Sequence, residues 1–81
     1  MRVMYFAWVR ERIGKPFDEI ETDAATVSDL VDELVQREER YAAAFADIRA
    51  LRVALDQKLT DFDAPLDGVR EVAFFPPMTG G

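Results

Sequence analysis

The chain has no cysteine and no histidine among its 81 residues. Without cysteine there is no disulfide, no thiolate metal site and no cysteine nucleophile. Without histidine the commonest metal ligand and the commonest proton-transfer group near neutral pH are both missing. Metal binding is left to carboxylates, which suit only weak sites for hard cations. Positive charge is also scarce: 10 Lys and Arg stand against 16 Asp and Glu, a net charge of −6. That sign is the reverse of a nucleic-acid footprint and equally disfavours an anionic membrane surface. No apolar run is long enough to span a bilayer, and no charged-then-apolar leader opens the chain. The expectation is one small soluble cytoplasmic domain with no bound cofactor or metal, no nucleic-acid partner and no membrane association.

About half of the residues are apolar, enough for a single modest core. "RVMYFAWV", Arg2 to Val9, is aromatic and β-branched and reads as a strand. Val3, Tyr5, Ala7 and Val9 fall on one face of it, and Met4, Phe6 and Trp8 on the other. A strand apolar on both faces is expected at the centre of a sheet or covered twice. "FDEIETD" is a weaker strand, hairpin-paired with the first through Gly14–Pro16. "TVSDLVDELVQREER" predicts a helix. Thr26 is its N-cap, and Asp29 three residues on makes a variant of the capping box. Val27, Leu30, Val31, Leu34 and Val35 form one stripe, while Ser28, Asp32, Glu33 and Gln36 face away. "YAAAFADI" extends that helix or forms a short second one, with Tyr41 and Phe45 as its buried pair. "LRVALDQKL", Leu51 to Leu59, predicts a strand with Leu51, Val53 and Leu55 facing one way. "EVAFF" is a final strand stopped by Pro76 and Pro77. The order strand, strand, helix, strand, strand predicts an α+β fold: a mixed sheet of four to five strands on one main helix. With the first and last strands paired in parallel at the centre, this is the ubiquitin-like β-grasp arrangement. Residues 1–75 are expected to form the domain and 76–81 an extended tail.

The tail, "PPMTGG", carries the chemistry that the rest of the sequence lacks. Two prolines favour an extended path with little freedom to lose on docking. Six extended residues beyond Phe75 reach up to roughly 20 Å. Gly80 and Gly81 carry no side chains, so a terminal carboxylate can pass along a narrow channel and its carbonyl stays open to attack. A free carboxylate is inert to nucleophiles. Adenylated by ATP it becomes an acyl donor; sulfide then gives a thiocarboxylate, and a lysine amine gives an isopeptide. The plain alternative is a frayed terminus.

These residues resemble a known family. "EVAFFPPMTGG" is similar to the closing signature of the small subunits of molybdopterin synthase, β-grasp sulfur carriers of molybdenum cofactor biosynthesis. "YFAWVRERIG", "TVSDLVDEL", "VALDQKL" and "FDAPL" fit the same pattern. The resemblance implies a subunit that is not an enzyme on its own. A ubiquitin-activating-type adenylating enzyme uses ATP to form the acyl adenylate on Gly81, and a sulfur donor converts it to the thiocarboxylate. Gly81 then passes sulfur to cyclic pyranopterin monophosphate inside the large subunit, building the dithiolene in a heterotetramer. Gly80 gives clearance; Pro76, Pro77, Met78 and Thr79 form the inserted arm. Phe74 and Phe75 alternate across the last strand, so one is expected in the core and the other against a partner. Phe6 is a further candidate contact, with Trp8 open to the same two readings. Arg10 and Glu11 match a family pattern that a solvated ion pair explains equally well.

Two positions depart from the family pattern. Asp56 stands where asparagine is usual, and is expected to make the same side-chain-to-backbone turn bonds. Val69-Arg70 replaces Gly-Asp before the last strand, with Asp67-Gly68 earlier, so that turn is expected to take another shape. The rival readings are a sulfur carrier of another pathway (thiamine, tRNA thiolation or cysteine), a ubiquitin-like protein modifier, and a β-grasp interaction module with an inert tail.

Overall fold

The first and last strands lie side by side and parallel at the centre of a five-stranded sheet. The computed structural model describes residues 1–77. Its elements are β1 (Arg2–Tyr5), α1 (Ala7–Ile13), β2 (Phe17–Glu19), α2 (Val27–Arg37) and α3 (Glu39–Ala44). After a 3-10 turn at Ile48–Ala50 come β3 (Arg52–Leu55), β4 (Lys58–Thr60) and β5 (Glu71–Phe75). The strand order is β2-β1-β5-β3-β4. β1 runs parallel to β5, with Val3 opposite Val72 and Tyr5 opposite Phe74. β2 is antiparallel to β1, and β3 is antiparallel to both β5 and β4. This is the β-grasp arrangement expected from the element order.

α2 forms as its pattern predicts. The Thr26 hydroxyl accepts from the Asp29 amide at 3.2 Å, and Val27, Leu30, Val31 and Leu34 are buried along one stripe. The "YAAAFADI" segment is a separate short helix, with Tyr41 and Phe45 both buried. These residues meet Val3, Tyr5, Val53, Val72 and Phe74 from one face of the sheet in a single core. Fully burying side chains of this size stabilises by about 1.5–3 kcal/mol each before entropy is counted.

Three expectations fail in instructive ways. The Arg2–Val9 strand stops at Tyr5, and Ala7–Ile13 is helical. Val9 and Ile13, four apart, are the buried residues of α1, and Gly14 at φ 91° closes it, its N–H donating to the Arg10 carbonyl at 2.8 Å. Alternating apolar residues over Val3 to Val9 suit a strand, but the i, i+4 pair and the glycine cap suit a helix, and packing decides for the latter. The sharp change of direction falls on Ala7, at φ 52°. Arg10 and Glu11 then sit on the exposed side of α1 and make no ion pair with each other. β2 still pairs with β1, but α1 rather than a tight turn connects them.

The Leu51–Leu59 strand is two strands. Asp56 and Gln57, at φ 49° and 71°, form a two-residue hairpin turn between β3 and β4. Asp56 does make the turn bonds expected of it: its Oδ1 accepts from the amides of Arg70 and Glu71 at 3.1 and 3.0 Å. The turn before β5 is regular. Gly68 takes the positive φ, 75°, and the Val69 amide donates to the Leu66 carbonyl at 3.0 Å. Val69 needs no left-handed backbone because the glycine stands one place earlier.

Candidate functional site: the root of the tail and the open face of the sheet

β5 delivers the chain to one end of the sheet, and its last residues part in opposite directions. Phe74 points into the core and is fully buried, edge-on to Phe45 with ring centres 4.9 Å apart and stacked with Phe62 at 6.2 Å. Phe74, one of the two candidate partner contacts on this strand, is therefore the core member of the pair: no surface of it is free to touch another protein. Phe75 projects from the opposite face, half-buried, and stands across from Arg52 of β3. Pro76 and Pro77 follow it beyond the ladder, both half-buried. Lacking an N–H, neither proline can donate to the ladder. Met78, Thr79, Gly80 and Gly81, expected to carry the arm and its carboxylate, lie outside the described residues.

Phe6 is at the same end. Its amide donates to the Phe74 carbonyl at 3.1 Å, and its side chain is 43% exposed. It is the backbone hinge between β1 and α1, and that is why it escapes the core that takes Tyr5. Trp8, by contrast, is half-buried against the core with Arg12 over its ring at 4.6 Å.

The face of the sheet away from the helices carries a second apolar feature. Pairing aligns Phe17, Met4, Ala73, Ala54 and Leu59, one from each strand, in a row across the sheet. Phe17 is 40% exposed and Leu59 is 69% exposed at its two ends. On one side of this row lie Glu19, Arg2 and Glu71, with Arg2 Nε on the Glu19 carboxylate at 2.7 Å. On the other side lie Phe75 and Arg52, next to the tail. The apolar alternation of β1 and β5 signalled a two-sided strand. The contribution of Phe17 and Leu59 was not readable until the register and the Asp56-Gln57 turn were known.

Titratable chemistry is concentrated elsewhere and is structural. Asp18 accepts from Tyr5 Oη at 2.8 Å, Tyr41 Oη at 2.6 Å and Lys15 Nζ at 2.7 Å, joining β1, β2 and α3. Burial alone would raise the Asp18 pKa. The hydrogen bonds from Lys15, Tyr41 and Tyr5 outweigh it and hold the carboxyl below its ordinary value. Burial, and then the Asp18 carboxylate, push both tyrosines up. No group of three or more Asp, Glu, His or Cys side chains is placed to hold a metal among the described residues. No helix among them is long and apolar enough to cross a membrane.

A two-faced β-grasp sheet ending in a half-exposed phenylalanine and two prolines can be compared directly with known proteins. The ThiS family profile matches residues 3–81. The chain belongs to the ThiS family. It is 42% identical over 81 residues to the molybdopterin synthase sulfur carrier subunit of Escherichia coli K12, spanning 100% of this chain and 99% of that protein. It is 36% identical over 81 residues to the protein of the same name from Haemophilus influenzae, again spanning 100% and 99%. Among solved structures, SAMP1 from Haloferax volcanii superposes with a TM-score of 0.78 at 24% identity, covering 100% of this chain and 98% of that one. A Pyrococcus furiosus structure described as a molybdopterin converting factor, subunit 1, superposes with a TM-score of 0.70 at 27% identity and 95% coverage of both chains. This ThiS-family chain therefore shares its ubiquitin-like fold with SAMP1 and its whole length with the two sulfur carrier subunits.

Proposed function

We propose that this chain is the sulfur carrier subunit of a molybdopterin synthase. The observation that carries the reading is the full-length likeness, at 42% identity, to a sulfur carrier subunit of that synthase. The fold supports it: β5 is locked by Phe74 while Phe75 and the two prolines lead outward from the sheet end. The domain, residues 1–75, acts as a handle, and residues 76–81 act as the working arm. In this reading the chain catalyses nothing by itself and holds no cofactor other than the sulfur on its own end.

The chemistry follows from the carboxylate of Gly81. Its oxygen attacks the α-phosphate of ATP on a ubiquitin-activating-type adenylating enzyme, releasing pyrophosphate and leaving an acyl adenylate. Sulfide delivered by a donor attacks the carbonyl carbon, and AMP leaves with the electron pair of the broken C–O bond, giving the thiocarboxylate. The thiocarboxylate then enters the large subunit, its sulfur bonds to cyclic pyranopterin monophosphate, and water cleaves the acyl–sulfur bond, returning Gly81 to the carboxylate. Two carriers' worth of sulfur complete the dithiolene in a heterotetramer of two large and two small subunits. Gly80 leaves room for the nucleotide and the channel wall. Pro76, Pro77, Met78 and Thr79 span the distance from the sheet. Phe75, Phe6 and the row from Phe17 to Leu59 form the face that the large subunit and the adenylating enzyme grip in turn. This chemistry belongs to the cytoplasm, where ATP and the partner enzymes are present.

The test is an intact mass spectrum after incubation with the adenylating enzyme, ATP and a sulfur donor. The expected product is heavier by the exchange of sulfur for oxygen, localised to Gly81, and it yields molybdopterin when the large subunit and cyclic pyranopterin monophosphate are added. An unchanged mass with a demonstrably active enzyme overturns the reading. Deletion of Gly81 is expected to abolish transfer at unchanged melting temperature. Gly80→Trp is expected to block adenylation or insertion without loss of folding, and full activity in that variant would exclude a narrow channel.

A further inference from the structure

One strand away from Phe75 the surface holds a groove of about 470 Å³, where β3 begins and β4 ends. Ile48, Leu51, Leu59 and Phe62 supply its apolar lining, and Arg52 stands at its rim. Ile48 is 39% exposed and Leu59 is 69% exposed, so the apolar surface is open to a visitor. β4 is the edge of the sheet, and among the described residues its outer backbone groups have no neighbouring strand. An edge strand beside an apolar groove is the arrangement that accepts an added strand, with a side chain seated in the groove.

Arg52 says what else that strand carries. Its Nη1 is tied to the chain itself, donating to the carbonyls of Leu51 at 2.9 Å and Arg49 at 3.3 Å. Among the described residues its Nε and Nη2 have no partner, and it makes no ion pair. Among the described residues, four of the ten cations hold carboxylates (Arg2 on Glu19, Lys15 on Asp18, Arg40 on Glu38 and Arg49 on Asp47), and Arg52 is among the six that do not, but it is the one of those six whose guanidinium is tethered at this groove. The carboxylate nearest in register, Asp61, accepts instead from the amide of Asp63 at 3.0 Å. In a chain of net charge −6, a guanidinium held in place with its free edge outward is a ready partner for a carboxylate. Its backbone tethers have already removed much of the ordering cost of docking there.

We propose that this groove receives an extended segment of the large synthase subunit. That segment pairs with the β4 edge, seats one apolar side chain between Ile48, Leu59 and Phe62, and sets a carboxylate on Arg52. The assignment rests on the function proposed above. It follows from position: Arg52 faces Phe75 across adjacent strands, about 5 Å apart. A subunit that takes in the tail at Phe75 therefore lies over this corner. The occupant is acidic and apolar, extended rather than helical.

Calorimetric titration of the large subunit into the full chain tests it, with Arg52→Glu, Arg52→Lys and Ile48→Asp as variants and the melting temperature of each as the check on folding. Arg52→Glu and Ile48→Asp are each expected to weaken binding by about tenfold or more. Arg52→Lys keeps the charge, loses the fork and is expected to fall between them and the unaltered chain. Wild-type affinity in folded Arg52→Glu overturns the groove while leaving the carrier function standing. An unaltered chain that does not bind the large subunit at all overturns both. Loss of thiocarboxylation in Arg52→Glu at undiminished affinity for the large subunit assigns the groove to the adenylating enzyme and overturns the occupant proposed here.

Discussion

The two faces of the sheet are made from the same strands and are both rich in apolar side chains, yet they have opposite fates. Val3, Tyr5, Val53, Val72 and Phe74 are sealed under the helices, whereas Met4, Phe17 and Leu59 remain partly or largely open. Alternation alone gives both faces the same signature. What separates them is the crossover: Ala7 turns the chain so that α1 joins α2 and α3 on one side only. The lesson is that an apolar strand face in a small domain is not a promise of burial. The uncovered face here is continuous with the tail root, and an open apolar patch of this kind has the character of an interaction surface.

Phe74→Ala strikes the covered face hardest. It removes a fully buried ring in contact with Phe45 and Phe62, and is expected to cost about 3–5 kcal/mol in denaturant unfolding. Asp18→Asn acts at the rim of that face. Its amide oxygen can keep both tyrosine hydroxyls, which already share Oδ2, but its NH2 group then faces Lys15 Nζ in place of a carboxylate oxygen, at a cost of about 1–3 kcal/mol. It also changes the pH profile. The Asp18 pKa is lower in the folded chain, so its stabilising contribution is full above the ordinary carboxyl value near 4 and is lost as pH falls through the folded value. The asparagine variant should lack that part of the acid limb, which melting temperatures across the acid range would reveal. Ala7→Gly relieves a left-handed alanine at the crossover and is expected to stabilise by up to about 1 kcal/mol; destabilisation would mean that the alanine methyl packs. Leu59→Ser on the open face should change stability by less than about 0.5 kcal/mol, yet weaken partner binding measurably. A large stability loss there would erase the contrast between the faces.

Much of the covered face was legible in the residues themselves. The Thr26 cap, the Val27–Leu34 stripe and the Tyr41–Phe45 pair rest on local chemistry, and the parallel partnership of the two end strands follows from the element order and their apolar content. The open face was not. Its row depends on register, and the register of β4 depends on Asp56-Gln57, a pair without the glycine that usually marks a two-residue turn. The direction of Phe74 and Phe75 was likewise undecided by alternation, which separates two neighbours without saying which is inside. α1 was hidden because Ala7, Trp8 and Val9 continue the apolar run of β1 and fit a strand as well as the start of a helix. The chemistry proposed for the tail was legible in "PPMTGG" and in the likeness of "EVAFFPPMTGG" to a known signature, helped by the lack of cysteine and histidine elsewhere.

The central place of β5 also has a meaning in time. Until residues 71–75 have been made, β1 can pair only with β2, and β3 only with β4, so the growing chain holds two separate hairpin-like ribbons and no joined sheet. The segment that completes the fold is the same one that leads directly into the arm. A translation product cut short before residue 71 therefore lacks the strand that joins the two ribbons, and offers no finished domain for a partner to grip.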